Sequence, residues 1–146
     1  MTIRNMTIED YDGVYQLWLN TPGMGLNHLD DSGDGIAKYL ARNPNTCFVA
    51  EDNGMIVGVI LAGHDGRRGM IHHAAVALSG RKSGIGSRLL DHAMAALKQE
   101  GIHKVVAIVF AKNQIGNQFW ERRGFAVRDD LVYRDKTINE LKRIDT

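Results

Sequence analysis

Hydrophobic residues recur along this chain with more than one period, and each change of period marks an element. "TIRNM" reads as a short first strand. Thr7 stands three residues before Asp10, a spacing that signals a helix start. Tyr11, Val14, Tyr15 and Trp18 then follow at helical intervals, and that helix ends near Asn20. "TPGMGLNHLDDSGDG" is a glycine-rich, acidic loop, long for a compact domain and therefore suspected of function. A second helix, from about Gly35 to Arg42, stops before Pro44. "TCFVAEDNGMIVGVILAG" predicts two strands joined at Asp52-Asn53-Gly54, because Asn-Gly is a strong hairpin signal. After "HDGRRG" comes a further strand, "MIHHAAVAL". Ile85, Leu89, Ala93 and Leu97, widened by Leu90 and Ala96, form the apolar stripe of a long helix that Gly101 closes. The continuous apolar run "KVVAIVF" predicts a strand buried on both faces. A short helix around Ile115 to Arg123 ends at Gly124, and "FAVRDDLVYRD" predicts a last strand pair turning near Asp129 and Asp130. The order β-α-α-β-β-β-α-β-α-β-β predicts an α/β (α+β) fold: a mixed, mostly antiparallel central sheet with helices on both faces.

Composition narrows the classes. At 146 residues, without repeats or a Pro/Ser linker, the chain is expected to form one domain, 1–146. Its formal charge of +1 provides no field for nucleic acid or an anionic membrane, so neither is expected as a partner. The single cysteine, Cys47, cannot close an internal disulfide and begins a strand, which fits buried packing in a reducing compartment. The start lacks an apolar signal core and no segment approaches membrane-spanning length, so a cytoplasmic protein is expected. The six histidines include no helical His-x-x-x-His and there is no cysteine pair, so no metal is expected.

The candidate chemistry lies in "ALSGRKSGIGSRLLDHAM", Ala77 to Met94. A P-loop fails there, since Ile85 stands where its second glycine belongs, and the dinucleotide fingerprint fails at Leu89. What remains is Arg81-x-x-Gly84-x-Gly86 between a strand and a helix. Backbone N–H groups around Gly84 to Ser87, with the helix dipole behind them, suit an anion, and Arg81, Lys82 and Arg88 add positive charge at the rim. Plain loop chemistry is the competing account of the same glycines.

The motif and the element order resemble the GNAT superfamily of acyl-CoA N-acyltransferases. Arg81, Gly84 and Gly86 match its Gln/Arg-x-x-Gly-x-Gly/Ala signature, and "NQIGNQFWERRGF", Asn113 to Phe125, matches its second. The likeness runs from Ile3 to about Arg134 and is nearest the bacterial ribosomal-protein and small-amine acetyltransferases. It implies acetyl-CoA as cosubstrate, its pyrophosphate on Arg81, Lys82, Ser83, Gly84, Ile85, Gly86 and Ser87. The pantetheine would pair with Ala74, Ala75 and Val76 where the fourth and fifth strands splay. Asn113 would bond the pantetheine or orient it, or else simply form a turn. Phe119 and Trp120 complete the implied cofactor set.

Acetyl transfer requires a neutral amine, an oxyanion stabiliser and an exit for thiolate. A lysine-like amine of pKa ~10.4 loses roughly 4–5 kcal/mol to deprotonation at pH 7, whereas a peptide α-amine near ~7.8 loses only about 1. Candidates for the base are His72 and His73, adjacent on the fourth strand and so expected on opposite faces with at most one in the cleft. Glu51, at the end of the second strand, is the lesser candidate. Main-chain N–H groups near Ala75 and Val76 would serve the oxyanion. Many relatives carry a tyrosine as acid where this chain has Trp120; Tyr133, on the expected terminal strand, is a candidate substitute, a packed or surface tyrosine is the competing account, and the acid is left open.

At the acceptor end, Asn27, Asp30 and Asp31 are expected to draw in a cationic amine, although Asp31 and Ser32 are equally placed to cap the second helix. Asp65, between strands, is watched for its nearness to the fourth. The resulting expectation is an N-acetyltransferase that acts on a primary amine of a small molecule or peptide in a ternary complex, as a monomer or homodimer. A non-catalytic acyl-CoA-binding module is the alternative, and a domain binding another phosphate is the third reading.

Overall fold

A computed structural model describes residues 1–144. Strand β1 (Thr2–Asn5) leads through a single 3-10 turn into α1 (Tyr11–Leu19), and α2 (Gly33–Arg42) follows the long loop. Strands β2 (Phe48–Asp52), β3 (Met55–His64) and β4 (Gly69–Val76) come next, then α3 (Ile85–Gln99), β5 (Val105–Ala107) and α4 (Gln114–Arg122). The sheet order is β1-β2-β3-β4-β5. All pairs are antiparallel except β4 with β5, which run parallel. This is the mixed, mostly antiparallel sheet expected, with α1 and α2 on one face and α3 and α4 on the other.

Local chemistry sets the boundaries. The Asp10 carboxylate accepts from the Thr7 N–H at 2.9 Å and anchors the entry to α1. Ser32 caps α2, its hydroxyl accepting from Gly35 N–H at 3.0 Å. Alternation along β2 and β3 divides the apolar core in two. Val49, Val59 and Leu61 pack with Trp18 and Ile36 beneath α1 and α2, while Ala50, Ile60 and Ala62 pack with Leu89 and Leu97 of α3. Cys47 is fully buried, its thiol bonded to the Ala62 carbonyl at 3.1 Å and pushed up to about 12 by burial, as packing requires.

Two expectations fail. The run "KVVAIVF" yields only three strand residues, all half-buried, and Ile108 and Phe110 are 50% and 40% exposed. Within the described residues β5 is an edge strand, open on its outer side. The terminal strand pair is also absent among the described residues. With β5 ending at Ala107, the segment after Gly124 has little edge to join, and Arg128 is instead held by the carboxylate of Asp130 through two 2.9 Å bonds. Val127, Leu131 and Val132 remain 85%, 59% and 74% exposed. Farther on the segment is tied to the loop before α2, where Arg143 bridges Asn27 and Ile144 N–H donates to the Leu26 carbonyl at 3.0 Å.

Candidate active site

The site follows from where two strands part. β4 pairs with β5 at Gly69–Val105, Met70–Val106 and Ile71–Ala107, and there the ladder ends. Among the described residues β4 runs on through Val76 with no strand on that side, so backbone N–H and C=O groups face a gap. The gap widens into a cleft of about 870 Å³. Its walls are β4 at His72 to Ala74, the chain from Ile108 to Phe110, the side of α2 at Tyr39, and the loop from Thr21 to Asp31.

A bulge on β4 decides the chemistry of this wall. Across from it on β3, Ala62 pairs with Ile71 and Leu61 with His73, leaving His72 as an extra residue. An inserted residue breaks the alternation of faces. Ile71 stays with the α3 core and Ala75 with the α1 core, and both histidines point to the α1/α2 side. His72 lies edge-on to Tyr39 at 5.3 Å, and His73 edge-on to Trp18 at 5.0 Å. The expectation of opposite faces is thus overturned, because simple alternation does not survive a bulge. Both histidines line the cleft.

They differ in environment. His73 Nε2 lies 2.8 Å from Asp31 Oδ1, with the two side chains only 11% and 5% exposed. The other Asp31 oxygen accepts from Asn27 N–H at 2.8 Å, and the Tyr11 hydroxyl donates to the Asp31 carbonyl at 2.6 Å. Asp31 is therefore no helix cap; Ser32 has that place, and the carboxylate clamps the loop onto β4. His73 Nδ1 and Trp18 Nε1 are buried without hydrogen-bond partners. His72 is exposed at the cleft, with the Tyr39 ring edge-on to it. Partial desolvation, reinforced by the neighbouring imidazole, holds it below its ordinary 6.5, against a weaker pull from Asp31 and Asp30. A neutral ring near pH 7 keeps a lone pair available.

The glycine turn sits at the far end of β4. Gly84, immediately before α3, has φ of +84°, and a Cβ there would meet nothing within 4 Å. Its requirement is conformational. Gly86 has the opposite reason, since a Cβ would come 3.3 Å from the Phe119 ring and 3.6 Å from Val76. The amides of Ile85, Gly86 and Ser87 form the first turn of α3 and have no carbonyl of their own helix within reach. Arg81 Nε donates to the Val76 carbonyl at 3.2 Å, and Ser83 Oγ donates to the Gly80 carbonyl. Lys82 is exposed at the rim, the Ile85 side chain belongs to the core.

The other candidates separate clearly. Asn113 Oδ1 accepts from Gly116 N–H at 2.9 Å and so caps α4, while its side chain also borders the cleft. Phe119 packs on α3; Trp120 faces the cleft, edge-on to Phe119 and Phe125 at 5.1 and 5.0 Å. Tyr133 reaches the rim from an irregular segment, 67% exposed, and the neighbouring Asp135 charge raises its pKa. Asn27 folds the loop, its side-chain oxygen accepting from Leu29 and Asp30 N–H at 3.0 and 2.7 Å. Its amide donates to Asp30 at 3.0 Å. Glu51 lies outside the cleft: Arg4 holds it at 3.0 Å, on a strand two removed from the β4–β5 gap. Asp65 turns its own loop, accepting from Arg67 and Arg68 N–H at 2.8 Å. Tyr39 and Trp18 went unnoticed as site residues, although their helical spacing marks them as inward-facing. Among the described residues no group of three or more His, Cys, Asp or Glu is placed to hold a metal. No helix there is long and apolar enough to cross a membrane.

Comparison with known proteins agrees with this fold. The model of the acetyltransferase (GNAT) family matches residues 11–125. Acetyltransferase SG1711 of Sodalis glossinidius (strain morsitans) is 27% identical over 140 residues, covering 96% of this chain and 97% of its own. The PaiA N-acetyltransferase of Thermoplasma acidophilum, solved in complex with coenzyme A, superposes with a TM-score of 0.73 at 19% identity, over 88% of this chain and 91% of that one. An aminoglycoside antibiotic 6′-N-acetyltransferase from Acinetobacter haemolyticus gives 0.71 at 18%, over 95% and 100%.

Proposed function

From the premise that this chain belongs to the GNAT family and is an acetyl-CoA-dependent N-acetyltransferase, we propose how it works. It moves acetyl to a primary amine of a small molecule or peptide by direct attack in a ternary complex. The observation that carries the reading is the unpaired length of β4 between the glycine turn and His72. At ~3.3 Å per residue, Val76 lies ~13 Å along the strand from His72. A pyrophosphate held by the first-turn amides of α3 therefore leaves room for an extended arm against Ala74, Ala75 and Val76. Arg81, Lys82 and Arg88 supply the surrounding positive charge, and Trp120 and Asn113 border the arm's route.

His72 accepts the proton. The amine nitrogen bonds to the acetyl carbonyl carbon, the carbon–sulfur bond breaks, and the nitrogen's proton passes to the neutral imidazole. Main-chain N–H groups on the open edge of β4, those of Ala74 and Val76, stabilise the oxyanion. His73, held by Asp31, is a positioning residue that keeps the acceptor loop against β4. The departing thiolate, of pKa near ~8.5, is a fair leaving group and takes a proton from Tyr133 or solvent. Release of free thiol from acetyl-CoA with a panel of amines tests the reading. Turnover with at least one amine is expected, together with thermal stabilisation by CoA but not by ATP. Stabilisation without thiol release from any amine would instead favour a binding module.

A further inference from the structure

The acceptor end carries positive charge as well as the negative charge that the acidic loop suggests. Asp31 is committed to His73 and to Asn27 N–H, and Asp30 accepts from the Asn27 amide. The side of α2 facing the cleft presents Gly35, Lys38, Tyr39 and Arg42, spaced i, i+3, i+4 and i+7, so they form one stripe. At its start the loop lies directly on the helix, where a Cβ on Gly35 would collide with the carbonyl oxygens of Leu29 and Asp30. Lys38 and Arg42, one turn apart, are both exposed and have no ion-pair partner among the described residues. Tyr39 between them stands against His72. Two unneutralised cations thus flank the path to the proposed base.

We propose that the acceptor carries, beside its amine, an anionic group that Lys38 and Arg42 hold. The substrate class is an amino-carboxylate or an acidic peptide N-terminus. Asp30 and Asp135, which line the same cleft and keep their charge, are left to draw in the single amine, whereas further cations on the acceptor would meet Lys38 and Arg42. The inference rests on the reading of this cleft as the acceptor's seat. Arg42, in the last turn of α2, also suits the helix dipole, but that role has no bearing on which acceptor binds.

The test compares alanyl peptides with the same N-terminal amine whose next two residues are acidic, neutral or basic, with free glutamate as a further arm. In the wild type, KM is expected to be lower for the acidic than for the basic peptide by about tenfold, the size two partly exposed ion pairs supply. Lys38→Gln with Arg42→Gln abolishes the preference, and Lys38→Glu with Arg42→Glu reverses it. The ratio is read within each protein, so a general loss of activity cancels, and retained stabilisation by CoA certifies the fold. Turnover of glutamate as efficient as that of the acidic peptide identifies a free amino acid as the source. A wild-type preference for basic peptides, or an unchanged ranking in the reversed variant, overturns the proposal. Calorimetric titration of the N-acetylated peptides in the presence of CoA separates it from the reaction. Selective binding of the acidic product without turnover of any amine keeps the anion site and rejects the transferase chemistry. Equal or absent binding of both products rejects the anion site.

Discussion

The two ends of the cleft are built from different material. The end at Gly84 is made of backbone: a left-handed glycine, the first amides of α3 and an open strand edge. The end at His72 is made of side chains brought from three elements, with Asp31 and His73 separated by 42 positions in the chain. Backbone recognition depends on conformation and tolerates most changes of side chain. Side-chain recognition depends on long-range placement and fails one residue at a time.

Substitutions at each end break that contrast by different amounts. The largest effect is expected for Gly84→Glu, which puts a carboxylate and an unfavourable φ at the turn and abolishes binding of CoA. Gly84→Asn, which tolerates the left-handed region, is expected to retain measurable affinity by calorimetry, separating charge from strain. Equal loss in both variants would assign the turn a purely conformational role. His72→Gln comes next, lowering kcat/KM for the amine by about 10²–10⁴ while CoA affinity persists. The sign of its pH dependence is set by the lowered value. Wild-type activity rises with pH through a midpoint below 6.5 as the ring loses its proton, and this limb vanishes in the variant. The same shift makes the native fold less stable as pH falls below 6.5, because the unfolded chain binds the proton more readily.

Asp31→Ala leaves His73 and the Asn27 N–H without their acceptor, and urea titration is expected to show a loss of about 1–3 kcal/mol. Asp31→Asn, which keeps an acceptor oxygen, recovers part of it. A variant as stable as wild type would show that the loop docks without this clamp. The smallest effect is expected at Gly86→Ala, where a Cβ 3.3 Å from Phe119 offsets the gain of alanine in a helix. Stability changes by less than about 1 kcal/mol and CoA affinity holds, in contrast to Gly84 only two residues away.

Much of the fold was readable in the chain because its signals are local. The α3 stripe and the Asn53-Gly54 turn each arise within a few residues, and both appear where periodicity and the Asn-Gly pair put them. "KVVAIVF" misled because an apolar run does not say how many neighbours a strand has. "FAVRDDLVYRD" misled because alternation without an available edge leaves a strand unformed.

From the sequence alone came the order of elements through α4, the glycine turn ahead of α3 and the pair of histidines on β4. Only the tertiary structure decided which way those histidines face, since the bulge at His72 exists through its register with Leu61 and Ala62 on β3. It alone joined Asp31 to His73 and left Lys38 and Arg42 facing the cleft unneutralised. The physical reason is range: dihedral preferences and periodicity act between neighbours, whereas register, burial and the pairing of charges depend on residues that only folding brings together.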